Sequence, residues 1–285
     1  MRLDGRRESG NVRDIRSKGK AAGIGLGGLV IAGIITWLLG GNPLSVLEQN
    51  GGLESILGEG GYEYVPSAEE EELARFSKQI LAGTEDVWTA EFRRMGLEYE
   101  PPTLVLFSNS VQSACGGATS STGPFYCSGD QSVYIDLSFI TTMKEEIGTA
   151  GDIAYAYVKA HAVGHHVQYL LGTLHEAHGM MDQLSESEAN KISVRLELQA
   201  DFYAGLWAHH DNKMFNSLEE GDLEEGLEIA SRIGDDYLQE RARGYSVPET
   251  FNHGTSEQRA RWLKKGFTTG NIDKGDTFSP RYNRL

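Results

Sequence analysis

The run AAGIGLGGLVIAGIITWLLG, residues 21–40, constrains what this chain can fold into more than any other stretch. It carries no charge, and the next charged residue is Glu48. Twenty helical residues at about 1.5 Å each span the roughly 30 Å hydrocarbon core of a bilayer. A basic flank precedes the run: residues 1–20 hold seven Lys/Arg against three acids. By the positive-inside rule that flank stays cytoplasmic and the chain after Gly41 faces outward. A cleaved signal peptide is the competing reading. Its apolar region would be shorter, and LLGGNPLSV offers no A-x-A-like cleavage site. The expected organisation is a cytoplasmic basic tail over 1–20, a transmembrane signal anchor over 21–40, a Gly-rich linker over 41–68 and one external domain over 69–285.

Beyond residue 20 the balance turns strongly acidic, since the whole chain of 285 residues carries a net charge of −15. That excludes nucleic acid as a partner, because phosphate binding needs a basic face. Within 69–285 the glutamates of AEEEELARF open a helix, with Leu73, Phe76, Ile80 and Leu81 at helical spacing. PTLVLFS and SVYIDLSF have the β-branched and aromatic character of strands. Between them lie the two cysteines, Cys115 and Cys127, flanking a Gly/Ser-rich loop. In an oxidising compartment a disulfide is natural there, with unpaired buried thiols as the alternative. The rest reads as helices over about 152–171, 186–210 and 217–242, and a short one from Ser256. Ser185, Ser217 and Ser256 are the candidate N-caps. Strands first and helices after give an α+β domain.

The chemistry concentrates in two of these helices. YVKAHAVGHHVQ places His161 and His165 four residues apart, about 40° around the helix and one turn along, so both imidazoles can reach one ion. Alone, the pair says little. RLELQADFYAG then places Glu197 and Asp201 at the same spacing on the next helix. Two histidines and a glutamate are an established zinc set that leaves a fourth position open. Asp201 can accept a hydrogen bond from the second ring nitrogen of a ligating histidine. Ala200 and Ala204 are small enough to let the two helices approach closely.

These segments, together with FNHGTSEQRARWLKKGF, GPFYCSGDQSVYIDLSF and RLDGRRESGNV, resemble the bacterial neutral zinc metallopeptidases of the YpfJ-like family over nearly the whole chain. The resemblance implies a zincin-like domain, a small sheet plus metal-bearing helices, with the gluzincin pattern H-E-x-x-H on one helix and E-x-x-x-D on the next. It implies Zn2+ held by His161, His165 and Glu197, Asp201 behind them, a peptide or protein substrate, and a location in the bacterial inner or cell membrane. The external domain would then be periplasmic or extracellular. By analogy His253 is a candidate oxyanion stabiliser, with a turn-capping role as the alternative, and Arg259 would hold its segment through an acid such as Asp201. His166 is not counted as a ligand, and His175, His178, His209 and His210 are read as surface or structural. A cysteine common in the family is replaced by Phe202, and another near the C-terminus is absent, so a second disulfide is lost as a pair.

The larger departure is Ala162, where the pattern has its glutamate. That glutamate takes a proton from the attacking water and delivers it to the leaving amine. Alanine can do neither, yet it leaves the three ligands untouched. The expected protein is a membrane-anchored zinc metallopeptidase, inactive or nearly so in this form. The alternative is a non-catalytic pseudopeptidase serving as an anchored peptide- or protein-binding module. An engineered substitution and a natural loss both account for Ala162. Economy favours the first, because only the proton shuttle is missing. For substrate binding, the strand SVYIDLSF or the Gly-rich loop before it is the expected edge against which an extended peptide would lie.

Overall fold

The computed structural model describes residues 1–16, 66–119, 122–137 and 152–285. It divides into a unit of Met1–Asp14 with Ala68–Leu285 and a second unit, Ile15–Ser67. The first is α+β. A four-stranded sheet runs in the order β1 (Val12–Asp14), β2 (Thr103–Phe107), β6 (Ser132–Asp136), β5 (Phe125–Cys127). A hairpin of β3 (Ser110–Ser113) and β4 (Gly116–Thr119) stands apart from it. β1, β2 and β6 are parallel and β5 is antiparallel to β6. Every residue of β6 is buried, as the apolar run around Val133 and Ile135 requires of a strand paired on both sides.

Helix α1 (Ala68–Arg94) carries its acids in the first turn and its basic residues in the last, which complements the helix dipole at both ends. It buries Ile80, Leu81, Val87, Trp88 and Phe92 in the main core, which also takes in Leu104, Leu106, Val133 and Ile135 of the sheet. Helices α2 (Asp152–Leu170), α3 (Thr173–Met181), α4 (Glu186–Phe215), α5 (Asp222–Arg232), α6 (Asp235–Arg243) and α7 (Ser256–Thr269) follow. The helix expected over 217–242 is two helices. Gly234 between them is extended, and a Cβ there would stand 2.3 Å from the Ser256 backbone nitrogen. Ser217 is buried and caps nothing; Gly221, at φ 92°, precedes α5. Ser185 does hold the N-cap position of α4, though its side chain makes no capping bond. For α7 the cap is Thr255 rather than Ser256, in a capping box with Gln258.

The single-pass topology needs correction. Residues before and after the apolar run belong to one sheet: Val12, Arg13 and Asp14 pair in register with Leu104, Val105 and Leu106. Arg6 bonds Asp211 at 2.8 Å, and Arg7 bonds Glu85 at 2.8 Å. A chain that crossed a bilayer once between residues 14 and 68 would leave these partners on opposite sides, so residues 1–14 are part of the domain and not a separate tail. Among the described residues no helix is long and apolar enough to cross a membrane. The anchor expected over 21–40 and nearly all of the 41–68 linker lie outside the described residues. The N-terminal transmembrane helix, the membrane location and the periplasmic or extracellular placement are therefore withdrawn.

Cys115 and Cys127 form a disulfide, with Cα atoms 5.8 Å apart. It ties the end of the β3–β4 hairpin to β5. Replacing both cysteines with serine is expected to cost about 2–4 kcal/mol, the usual worth of closing a short loop. Urea denaturation of the two forms under non-reducing conditions measures it.

Candidate metal centre

α2 and α4 meet at a glycine. A Cβ on Gly164 would lie 3.0 Å from the Ala200 carbonyl oxygen and 3.1 Å from its Cα, so the helices approach backbone to backbone at that point. This close approach brings Glu197 between the two histidines one turn apart on α2. His161 Nε2 stands 3.2 Å from Glu197 Oε2, and His165 Nε2 stands 3.3 Å from Oε1. Donor atoms from all three residues lie within 4.8 Å of one another. Three donors about 2.1 Å from a common tetrahedral centre would stand about 3.4 Å apart, so the set fits zinc in chemistry and in spacing.

The opposite ring nitrogens are both committed. His161 Nδ1 is 2.8 Å from Asp201 Oδ1. Burial alone would raise the Asp201 carboxyl, but Arg259 and His161 outweigh it and hold it at about 2. Asp201 is thus an acceptor only, and His161 Nδ1 carries the proton. His165 Nδ1 is 2.9 Å from Gln168 Oε1. The Gln168 amide nitrogen donates to the Leu196 carbonyl at 2.8 Å and to Gln199 Oε1 at 3.0 Å, which fixes the amide orientation. Gln168 Oε1 must therefore accept, and His165 Nδ1 also carries its proton. In the neutral form of each ring this leaves Nε2, the nitrogen facing Glu197, as the one with the lone pair, the tautomer that a metal ligand needs.

Asp201 is anchored from two more directions. Arg259 donates from Nε to Oδ2 at 2.9 Å and from Nη2 to Oδ1 at 3.0 Å, and the Tyr157 hydroxyl donates to Oδ1 at 2.6 Å. Arg259 arrives on α7, which packs backbone to backbone on α4. A Cβ on Gly205 would fall 2.1 Å from the Leu263 carbonyl oxygen, and one on Gly266 2.0 Å from that of Phe202. No side chain other than hydrogen fits at either position. Gln199 continues the second line of support by donating to the Gly275 carbonyl at 3.0 Å. Tyr157, Gln168 and Gln199 were not singled out from sequence. The first two sit at helical spacing from the histidines, four before His161 and three after His165, and that spacing was the available signal.

His161, Ala162, His165, Glu197, His253 and Arg259 line one cavity of about 550 Å³. His253 is half-exposed at its edge, with Nδ1 3.1 Å from Asp235 Oδ1. Asp235 also accepts backbone N–H bonds from Asn252, His253 and Gly254, so it shapes the loop that presents the imidazole. Its hydrogen bond raises the His253 pKa above the ordinary histidine value. His166 is fully buried, with its two nitrogens on the Tyr126 hydroxyl at 3.0 Å and the Glu100 carbonyl at 2.7 Å, so it is not among the convergent donors. His209 and His210 donate to the Phe267 and Gly270 carbonyls and fasten α4 to the end of α7. His178, exposed on α3, also lines the cavity.

A family model described as "Putative neutral zinc metallopeptidase" matches residues 1–278, and so includes β1. The uncharacterized protein YpfJ of Escherichia coli (strain K12) is 42% identical over 297 aligned residues, covering 98% of this chain and 99% of that protein. The uncharacterized protein Rv2575 of Mycobacterium tuberculosis (strain ATCC 25618 / H37Rv) is 39% identical over 191 residues, 64% of each chain. No solved structure matches.

Proposed function

The chain belongs to the neutral zinc metallopeptidase family, and from that membership we propose that it is a zinc-binding peptidase whose proton shuttle is missing at Ala162. The observation that carries the reading is the convergence of His161, His165 and Glu197, with both histidine Nδ1 protons tied down behind them. Zinc bound by these three side chains would polarise a scissile carbonyl and the attacking water. Asp201 and Gln168 hold the two imidazoles in register. Arg259 is occupied on Asp201 and holds α7 in place. His253 can donate to the oxyanion from the edge of the cavity, a contribution worth several kcal/mol where such donors apply. Ala162 offers no atom that can accept or return a proton.

The proposed substrate is an extended peptide or protein segment. β6 cannot receive it, contrary to the expectation for SVYIDLSF, because β2 and β5 occupy both its sides. The Gly-rich loop is partly the β3–β4 hairpin. β5 pairs only on its β6 side among the described residues, and Phe125 and Tyr126 line the cavity, so its free edge supports strand addition.

Zinc content tests the metal site directly. About one zinc per chain is expected in protein purified without chelator, and His165→Ala should lose it. With no ion bound, burial would lower the His161 pKa, but Asp201 and Glu197 raise it to about 9. Below that pH the imidazole must shed a proton before it can serve as a ligand, so affinity rises with pH and levels off above about 9. Competition against a zinc chromophore at several pH values should show about a tenfold loss per unit on the acid side. A flat profile, or protein that takes up no zinc, would remove the metal from the reading.

Ala162 itself favours a second reading, a non-catalytic protein that holds peptides in the same cavity. It requires that a glutamate at 162 confer no cleavage.

A further inference from the structure

We propose that the Cys115–Cys127 disulfide is a positioning element of the peptide site, and that its reduction weakens peptide binding while leaving the metal centre intact. The inference rests on the reading above that the cavity receives an extended peptide. Cys115 lies in the two-residue turn of the β3–β4 hairpin, where it is exposed and lines the cavity that His161, His165 and Glu197 also line. Its partner Cys127 is fully buried at the end of β5, the strand whose free edge the peptide would join. Thr122, Gly123 and Pro124, which lead into β5, line the same cavity. The disulfide thus fixes both ends of one cavity wall.

Little else fixes the hairpin tip. None of residues 110–119 belongs to the main core. Among the described residues, and besides bonds within the hairpin, the tip is held by one exposed hydrogen bond, from the Ala114 N–H to Asp130 Oδ2 at 2.9 Å. β5 and the metal-bearing helices have supports of their own. Phe125 stacks on Tyr134 of β6 with ring centres 4.8 Å apart, and the Tyr126 hydroxyl meets His166 Nδ1 on α2 at 3.0 Å. α2 and α4 close on each other at Gly164 without either cysteine. Breaking the bond therefore loosens the wall and not the ligand set.

The co-reactant is a small dithiol, and it reaches the bond from the Cys115 side because Cys127 is buried. One thiolate of the reagent attacks the Cys115 sulfur as the S–S bond breaks, and Cys127 leaves as a thiolate that takes up a proton. The second thiol of the reagent then displaces Cys115 and closes the reagent's own disulfide. The dithiol loses two electrons and two protons, and the two cysteines gain them. Exposed disulfides are the class that exchanges readily in this way.

The test uses the full chain loaded with zinc, with alanine at 162 so that bound peptide is not consumed. Fluorescein-labelled β-casein, an unfolded chain, is titrated by anisotropy before and after reduction with a water-soluble phosphine. The phosphine takes its oxygen from water as it is oxidised, both cysteines end as thiols, and no reagent thiolate competes for zinc. Affinity is expected to fall by about tenfold, because binding must then order a loosened wall. Zinc should stay at about one per chain. Amide exchange should quicken over 110–119 and 122–127 and stay unchanged over 157–168; a merely structural role would move zinc, exchange and affinity together. Reoxidation should restore the affinity. Cys115→Ser with Cys127→Ser should bind as the reduced form does and ignore the phosphine. If that variant does not fold, the cycle of reduction and reoxidation decides. Equal affinity in the two redox states overturns the inference and leaves the peptide reading intact. Loss of zinc on reduction, or a serine form that still responds to phosphine, also overturns it. No binding of casein in either state overturns the inference together with the reading it rests on.

Discussion

Ala162→Glu is expected to raise peptide hydrolysis by about 10²–10⁴-fold over the alanine form, the usual contribution of a positioned general base. The three candidate ligands stay as they are, since Ala162 is not among them and sits within a continuous helix. The new carboxylate would enter the cavity that His161 and His165 already line. The comparison is made at equal zinc content, on a denatured protein or a peptide library, with cleavage followed by mass spectrometry. Equal rates for the two forms would sink the peptidase reading and favour the binding protein. Alanine is the best helix former, so the substitution should cost the helix itself only a few tenths of a kcal/mol.

Lys159→Met is expected to stabilise the domain by about 4 kcal/mol near pH 7, and by less than about 1 kcal/mol at pH 10. Lys159 lies on the face of α2 that packs against Ser77, Ile80, Leu81 and Thr84 of α1 and Leu104, Val133 and Ile135 of the sheet. Its ammonium is buried with no hydrogen-bond partner among the described residues, 4.8 Å from the centre of the Phe76 ring. Burial lowers its pKa from 10.5 to about 7. Between those two values the unfolded chain binds a proton that the folded chain does not, so stability rises with pH across this window. Below about pH 7 the penalty is fully present; above 10.5 it is gone. Methionine is similar in length, flexible and apolar, and removes the penalty at every pH. Urea denaturation of both forms at pH 7 and pH 10 measures the gain, and a gain that does not shrink with pH would refute the account.

Much of the candidate metal centre was legible because a helix converts sequence spacing into geometry. Residues four apart share a face whatever surrounds the helix, so His161 with His165, and Glu197 with Asp201, could be paired on paper. Arg259 on Asp201 followed from the resemblance. The supporting residues were harder to see. Gln168 matters because its amide is held by Leu196 and Gln199, both on α4, and no spacing rule crosses between helices. Strands fared unevenly for a similar reason. The apolar runs of β2 and β6 announce themselves, whereas β1 is Val-Arg-Asp and becomes a strand only because β2 offers it a partner. The break at Gly234 is also tertiary, since the approach of Ser256 excludes any Cβ there.

The sequence by itself determined the family, the candidate donor set, the cysteine pair and the alanine at 162, because each is a matter of residue identity at a local spacing. Tertiary structure alone decided that residues 1–14 belong to the domain, that β5 and not β6 is an edge strand among the described residues, and that both histidines point the same nitrogen at Glu197. Those outcomes depend on contacts between segments dozens to hundreds of residues apart. Such contacts are fixed by close packing at Gly164, Gly205 and Gly266 and by the pairing of buried polar groups.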